Sequence, residues 1–205
     1  MPFQEYQGSF PLSFYYVRHG ESTANLARII AGGGIDSPLT GLGQSQAKQT
    51  AQLAKSWNLK PPAIYHSPLI RAKQTAEIIA ETISAPLIAL PDLSEHFLGD
   101  WEGRPHSEIE RYFNDLPDPP HGETRLDFFS RIKRALRHIF GQPGPPLIVA
   151  HGGVWHALHR CLGAEHKGWI SNAALYKVQV LSDGGAIQLT TEQLEQKASV
   201  IKQVE

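Results

Sequence analysis

Ser13-Phe14-Tyr15-Tyr16-Val17-Arg18-His19-Gly20 and, far along the chain, Leu147-Ile148-Val149-Ala150-His151-Gly152-Gly153 follow one plan. In each, a run of aromatic, aliphatic and β-branched residues has the makeup of a buried strand. A histidine and a glycine come next, and then a helix signal. Between the two runs, strand and helix signals alternate. Thr40 to Trp57 is rich in the helix formers Gln, Ala, Leu and Lys, and Pro61-Pro62 ends it. Ala63–Tyr65 reads as a short strand. Leu69–Ile83 reads as a helix with Ile78, Ile79 and Ile83 on an apolar side, and Leu87–Leu90 as a further strand. Leu126, Phe129, Leu136 and Ile139 recur near a 3.6 period, which predicts an amphipathic helix from Thr124 or Arg125 to Phe140. Val154–Leu162 predicts one more helix. Ala174–Leu181 and Ala186–Thr190 predict a late hairpin. This alternation predicts an α/β fold with a largely parallel sheet.

The stretch 92–123 breaks the pattern. It holds Trp101, several prolines and many polar groups, and predicts a surface excursion with one short helix at Ser107–Phe113. Long excursions of this kind often form lids or pocket walls. The whole chain, 1–205, reads as a single domain carrying that excursion.

Bulk properties narrow the function. The chain has 205 residues, 41% hydrophobic and 19% charged, with a formal net charge of -1. No overall field draws it to nucleic acid or to an anionic membrane, so an anion site must be built from a few local groups. Arg131, Lys133, Arg134 and Arg137 read as a solvated helix face. Cys161 is the single cysteine, which excludes an internal disulfide and a zinc site made of cysteines alone. His151, His156, His159, Cys161 and His166 match no common zinc spacing, so no metal and no cofactor is expected. Nothing approaches the roughly 20 apolar residues needed to cross a bilayer. Met1 to Phe10 lacks the basic and apolar segments of a signal peptide, and the expected location is the cytoplasm.

The two strand–His–Gly units predict a site. Ligands of open α/β sheets lie beyond the carboxyl ends of the strands. Glycine lets backbone come close to a ligand, and a helix start offers free N–H groups to an anion. Arg18 adjoins His19, and Arg71 follows a third strand end in Ser67-Pro68-Leu69-Ile70-Arg71. Two arginines, two histidines and helix starts suit a phosphoryl group, since guanidinium forks bind phosphate oxygens bidentately. A neutral imidazole nitrogen can attack phosphorus and form a covalent intermediate. A leaving alkoxide then needs a proton, and Glu95 is the candidate acid. Glu21, Glu102 and Glu123 are alternatives.

These residues resemble the histidine phosphatase superfamily, also called phosphoglycerate mutase-like. Arg18-His19-Gly20-Glu21-Ser22 with Asn25 is similar to its signature. Asp36-Ser37-Pro38-Leu39-Thr40 with Gly43, Gln46 and Ala47 resembles its next block. Ser67-Pro68-Leu69 with Arg71-Ala72 and Gln74-Thr75-Ala76 resembles the block of the second phosphate arginine. Leu93-Ser94-Glu95 with Gly99, Trp101, Glu102 and Gly103 resembles the block of the acid. Gly122-Glu123 with Arg131, and Val149-Ala150-His151-Gly152-Gly153, complete the set in order. The resemblance implies a three-layer α/β/α sandwich and a phosphatase that works without metal. It implies that His19 is phosphorylated, that Arg18, Arg71 and His151 hold the phosphoryl group with Asn25 and the Gly152 amide, and that Glu95 is the acid.

Within the resemblance, Trp101-Glu102-Gly103 is closer to phosphatases than to mutases, and few cations flank the acid block. The expected reaction is hydrolysis of small phosphorylated metabolites with a bell-shaped pH profile. Phosphoglycerate mutase is the alternative, and a phosphate-binding scaffold without turnover is the alternative of another class. Ser22, Arg28, Trp101 and His121 are candidate substrate contacts, Trp101 reading equally well as a packing residue. Ala31-Gly32-Gly33-Gly34 stands where members often carry Gln-Gly, which predicts an open or mobile pocket wall there. Nothing in the sequence marks an oligomer interface.

Overall fold

A computed structural model describes residues 12–109, 118–163, 168–183 and 186–196. The chain runs β1 (Leu12–Arg18), α1 (Thr23–Leu26), α2 (Gly41–Ser56), β2 (Ile64–His66), α3 (Ile70–Ile83), β3 (Leu87–Ala89), α4 (His106–Ile109), α5 (Arg125–Phe140), β4 (Leu147–Ala150), α6 (Gly152–Cys161), β5 (Leu175–Asp183) and β6 (Ala186–Gln193). The strands form one six-stranded sheet in the order β3-β2-β4-β1-β5-β6. β3, β2, β4 and β1 are parallel to their neighbours, while β5 and β6 join antiparallel. The sheet is therefore mixed, with the parallel part where the expected site lies.

The three layers follow from side-chain alternation along strands buried on both faces. Val17, Ile64, Leu147 and Val149 point to one face and pack on Ala51 and Ala54 of α2 and Ala76 and Ile79 of α3. Phe14, Tyr16, Tyr65, Ile148 and Ala150 point to the other, against Ile132, Leu136 and Ile139 of α5 and Val154, Trp155 and Leu158 of α6. The small alanines of α2 and α3 allow those helices to lie close to the sheet.

The helix starts are capped by residues of the expected blocks. Thr40 accepts from the Gly43 amide at the head of α2, and Thr124 from the Asp127 amide at the head of α5. Leu69 gives α3 no side-chain cap, but Asp36 does so from a distant loop, accepting from the Ile70 amide at 2.7 Å. This fixes the first turn of α3, where Arg71 sits.

Two sequence expectations need correction. Leu126 is not on the buried face of α5. It is exposed, and the buried stripe is Phe128, Ile132, Ala135, Leu136, Ile139 and Phe140. Arg131 does not belong to a solvated face, as described below. The short excursion helix begins at His106, and the remainder of its expected span, 110–113, lies outside the described residues. Among the described residues no helix is long and apolar enough to cross a membrane.

Candidate active site

β1, β2 and β4 end side by side, so their carboxyl ends deliver Arg18-His19, Ser67 and His151 to one place. The loop after β1 is held there by backbone contacts rather than by side-chain bulk. A Cβ on Gly20 would lie 2.4 Å from the Gly43 carbonyl oxygen, and one on Gly43 would lie 2.0 Å from the Glu21 carbonyl oxygen. These two glycines serve the close approach of α2 to the loop, a role the sequence did not suggest for Gly20. The remaining polar groups of the loop are met by block residues. The Gly20 amide donates to Thr75 Oγ1, the Glu21 amide to Gln46 Oε1, and the Leu39 amide to Gln74 Oε1.

His19 is buried, with Nδ1 2.7 Å from its neighbour's carbonyl, Gly20 O. A carbonyl only accepts, so Nδ1 carries the hydrogen and Nε2 keeps its lone pair. Burial lowers the His19 pKa well below the usual 6.5, and the Arg71 and Arg18 charges lower it further. The ring is a neutral imidazole with Nε2 unprotonated.

His151 lies beside it, with ring centroids 5.2 Å apart. Its Nε2 is 2.7 Å from Ser67 Oγ, which itself accepts from the Leu69 amide. With the Ser67 hydroxyl assigned as the donor to Nε2, the imidazole hydrogen sits on Nδ1. That Nδ1 is buried and has no hydrogen-bond partner among the described residues. Burial again holds the pKa well below 6.5, followed by the Arg71, His19, Arg18 and Arg131 charges. His151 therefore presents a neutral N–H donor.

The two arginines differ in their anchoring. Arg18 donates from Nη1 to Ile170 O at 2.8 Å, and its buried Nε has no partner among the described residues. Arg71 donates from Nη1 to Ile35 O and from Nη2 to Gly32 O. Burial lowers both guanidinium pKa values and the Glu95 carboxylate raises them, which puts Glu95 within electrostatic reach of both.

Glu95 reaches the head of α6. Its Oε2 accepts from the Gly153 amide at 2.9 Å and its Oε1 from the His96 amide at 3.0 Å. A Cβ at position 153 would lie 2.3 Å from Oε1, so only glycine admits the carboxylate there. The other candidate acids are engaged elsewhere. Glu21 Oε1 accepts from Thr40 Oγ1, Glu102 Oε1 accepts from the Gly34 and Leu98 amides, and Glu123 pairs with Arg131.

Arg131 is the residue that sequence reasoning most misjudged. Nε and Nη2 donate to the two Glu123 oxygens at 2.7 and 2.8 Å. Nη1 donates to Asp92 O and Ser94 O, and Nη2 also to Glu95 O. All five N–H donors are used. The guanidinium thus ties down the backbone on both sides of Glu95. The sequence signal was present in the Gly122-Glu123 block with Arg131, but a basic residue among other basic residues on one helix reads as surface.

The triple-glycine wall is closed rather than open, which corrects that expectation. Arg71 holds Gly32 and Ile35, the Gly33 amide donates to His96 O, and the Gly34 amide donates to Glu102. A Cβ at Gly34 would lie 2.2 Å from Glu102 Oε2, so the glycines make room for that carboxylate.

The weaker candidates fall outside the cluster. Ser22 is buried and caps α1, its Oγ accepting from the Asn25 amide. Asn25 Oδ1 is 3.3 Å from Asn172 Nδ2, which also donates to His19 O at 2.9 Å; Asn172 is a support residue that the sequence did not reveal. Trp101 is 8% exposed and packs with Ile30 and Leu98. Arg28 and His121 are exposed, His121 against Asp100.

A neutral histidine within electrostatic reach of two guanidinium groups, beside a second neutral histidine and a tethered carboxylate, is an arrangement chemically suited to a phosphoryl group. Comparison with known proteins gives the family. Residues 14–193 match the model of the histidine phosphatase superfamily, branch 1, and the chain belongs to that superfamily. A Bacillus subtilis phosphatase, PhoE, is 39% identical over 148 residues, spanning 69% of this chain and 72% of its own. An Arabidopsis thaliana metal-independent phosphoserine phosphatase is 36% identical over 180 residues, 80% of this chain and 74% of its own. A Proteus mirabilis relative bearing a phosphoglycerate mutase name is 37% identical over 153 residues, 69% of this chain and 70% of its own. Among solved structures, a mycobacterial glucosyl-3-phosphoglycerate phosphatase superposes with a TM-score of 0.72 at 26% identity, covering 88% of this chain and 97% of that one. The chain is a phosphoric monoester hydrolase of this superfamily.

Proposed function

We propose that this phosphatase hydrolyses small phosphorylated metabolites through a phosphoryl group carried on His19 Nε2, with Glu95 as its acid and base. The observation that carries the reading is the His19 Nδ1–H···O bond to Gly20, which fixes the tautomer with Nε2 free to attack. In the first step Nε2 forms a bond to phosphorus as the bond to the ester oxygen breaks. Glu95, in its protonated form, gives that oxygen its proton. Arg18, Arg71, the His151 Nδ1–H and the Gly152 amide take the phosphoryl oxygens, on which charge is spread in the transition state. In the second step the Glu95 carboxylate accepts a proton from water as that water attacks phosphorus. The P–N bond breaks, and inorganic phosphate leaves with His19 neutral again. Asn25 supports the site through Asn172.

Hydrolysis of p-nitrophenyl phosphate with EDTA present, native protein against His19→Ala, tests the reading. Native turnover that withstands EDTA and falls by a factor on the order of 10⁴ in the variant supports it. Intact-mass detection of a phosphorylated native protein, absent in His19→Ala, supports the intermediate. Relatives bearing a phosphoglycerate mutase name, the Proteus mirabilis protein among them, favour the second reading. Interconversion of 2- and 3-phosphoglycerate faster than hydrolysis of either would favour it. Native protein that binds phosphate yet turns over neither substrate would favour a scaffold.

A further inference from the structure

We propose that Trp169 forms the leaving-group subsite of this enzyme and favours phosphomonoesters whose alcohol bears a planar aromatic ring. The proposal rests on the phosphate clamp described above. A Cβ on Gly152 would stand 3.5 Å from Trp169 Cζ3 and 3.9 Å from Arg18 Nε, so indole, guanidinium and the head of α6 converge at one point. Arg18 also fixes the segment, because its Nη1 donates to the carbonyl of the next residue, Ile170. The His156 ring supports the indole, with centroids 4.7 Å apart at 69°. Burial pushes the His156 pKa down to about 4, so this supporting ring is neutral.

Trp169 is nevertheless 59% exposed. An indole held in place by an imidazole and by backbone, yet exposed beside the phosphate arginine, is a rigid aromatic platform. Among the described residues Leu26, Leu42 and Leu126, also more than half exposed, are aliphatic and lie on helices, and the aromatic Phe97 is less exposed, at 43%. Trp101, the tryptophan singled out in the sequence, is buried and presents no comparable surface. A phosphate seated on the Gly152 amide and Arg18 sends its ester oxygen outward, and a ring attached there lies against the indole.

The test compares phenyl phosphate and 2-naphthyl phosphate with glycerol 2-phosphate in the native chain, Trp169→Phe and Trp169→Ala. Trp169→Ala is expected to raise KM for the aryl esters about 3- to 10-fold, with naphthyl losing more than phenyl. kcat and the glycerol 2-phosphate kcat/KM should stay within about twofold, Trp169→Phe should keep most of the aryl affinity, and inhibition by inorganic phosphate should not change. An equal loss for all three substrates, together with weaker phosphate inhibition, would mean that Trp169 merely anchors Arg18, and would overturn the proposal. So would unchanged aryl KM values. Native protein inert toward all three esters would overturn the phosphatase reading itself, and the subsite with it.

Discussion

Replacing Arg131 by Met keeps most of the side-chain length and removes five hydrogen-bond donors at once. The Glu123 carboxylate then loses its partner where the two side chains are only 17% and 13% exposed. The carbonyls of Asp92, Ser94 and Glu95 lose theirs as well. Removing one member of a buried ion pair costs about 3–5 kcal/mol, chiefly because the other charge stays behind. For a chain of this size that corresponds to a fall in Tm of about 6–20 °C. The double variant Arg131→Met/Glu123→Gln removes the stranded charge and should regain part of that loss without regaining activity. The catalytic effect has its own signature. With Asp92, Ser94 and Glu95 untied, the acid shifts against the leaving oxygen, and misplacement by about 1 Å can cost a factor of 10². A good leaving group hardly needs the acid, so p-nitrophenyl phosphate should lose much less than phenyl phosphate. Calorimetry gives the first quantity, and kcat/KM for the two esters, which reports transfer to His19 and not the shared hydrolysis step, gives the second. Equal losses for both esters would refute the positioning role, and a Tm within 2 °C of native would refute the energetic account.

Gly153→Ala should lower kcat by one to two orders of magnitude with little change in inhibition by inorganic phosphate, because its Cβ would meet Glu95 Oε1 at 2.3 Å; retained kcat would show that the acid sits elsewhere during turnover. Burial holds the His19 and His151 pKa values well below 6.5, so below pH 6.5 the unfolded chain binds protons that the folded chain does not. Stability from these two groups is complete above pH 6.5 and falls as pH drops, by about 2.7 kcal/mol per pH unit for the pair. Urea denaturation between pH 7.5 and 5 should show that slope reduced by about 1.4 kcal/mol per unit in His19→Gln, and an unchanged slope would mean that His19 titrates near its ordinary value.

Much of this was legible in the sequence because the central strands β2 and β4 are buried on both faces. Leu147–Ala150 could be delimited to the residue, since a continuous apolar run ends where His151 begins. Arg18, His19, Arg71 and His151 were legible for a related reason, as each directly follows a strand end or opens the helix behind one. Arg131 was not, because a guanidinium that folds back on carbonyls of a distant loop has no local sequence signature. Leu126 misled in the opposite sense, since its periodic spacing places it at the first turn of α5, where nothing packs over it. The triple glycine was misread because glycine signals both freedom and close approach, and only the Glu102 carboxylate beside Gly34 decides between them.

The electrostatic design also explains why the two arginines need not compromise the nucleophile. A cation near an imidazole disfavours imidazolium, and here Arg71 and Arg18 add to burial in the same direction. In the proposed reaction, the charges that attract a phosphate thus also hold His19 in the form that attacks. A bound phosphoryl group offsets part of that positive charge, so His19 is most strongly neutral in the empty site and becomes easier to charge as the P–N bond forms. The carbonyl at Gly20 then stabilises the ring, because Nδ1–H donates more strongly from a phosphorylated, positively charged imidazole than from a neutral one. In the proposed reaction one backbone acceptor selects the tautomer before attack and favours the charged ring after it, which is the differential stabilisation that speeds a chemical step.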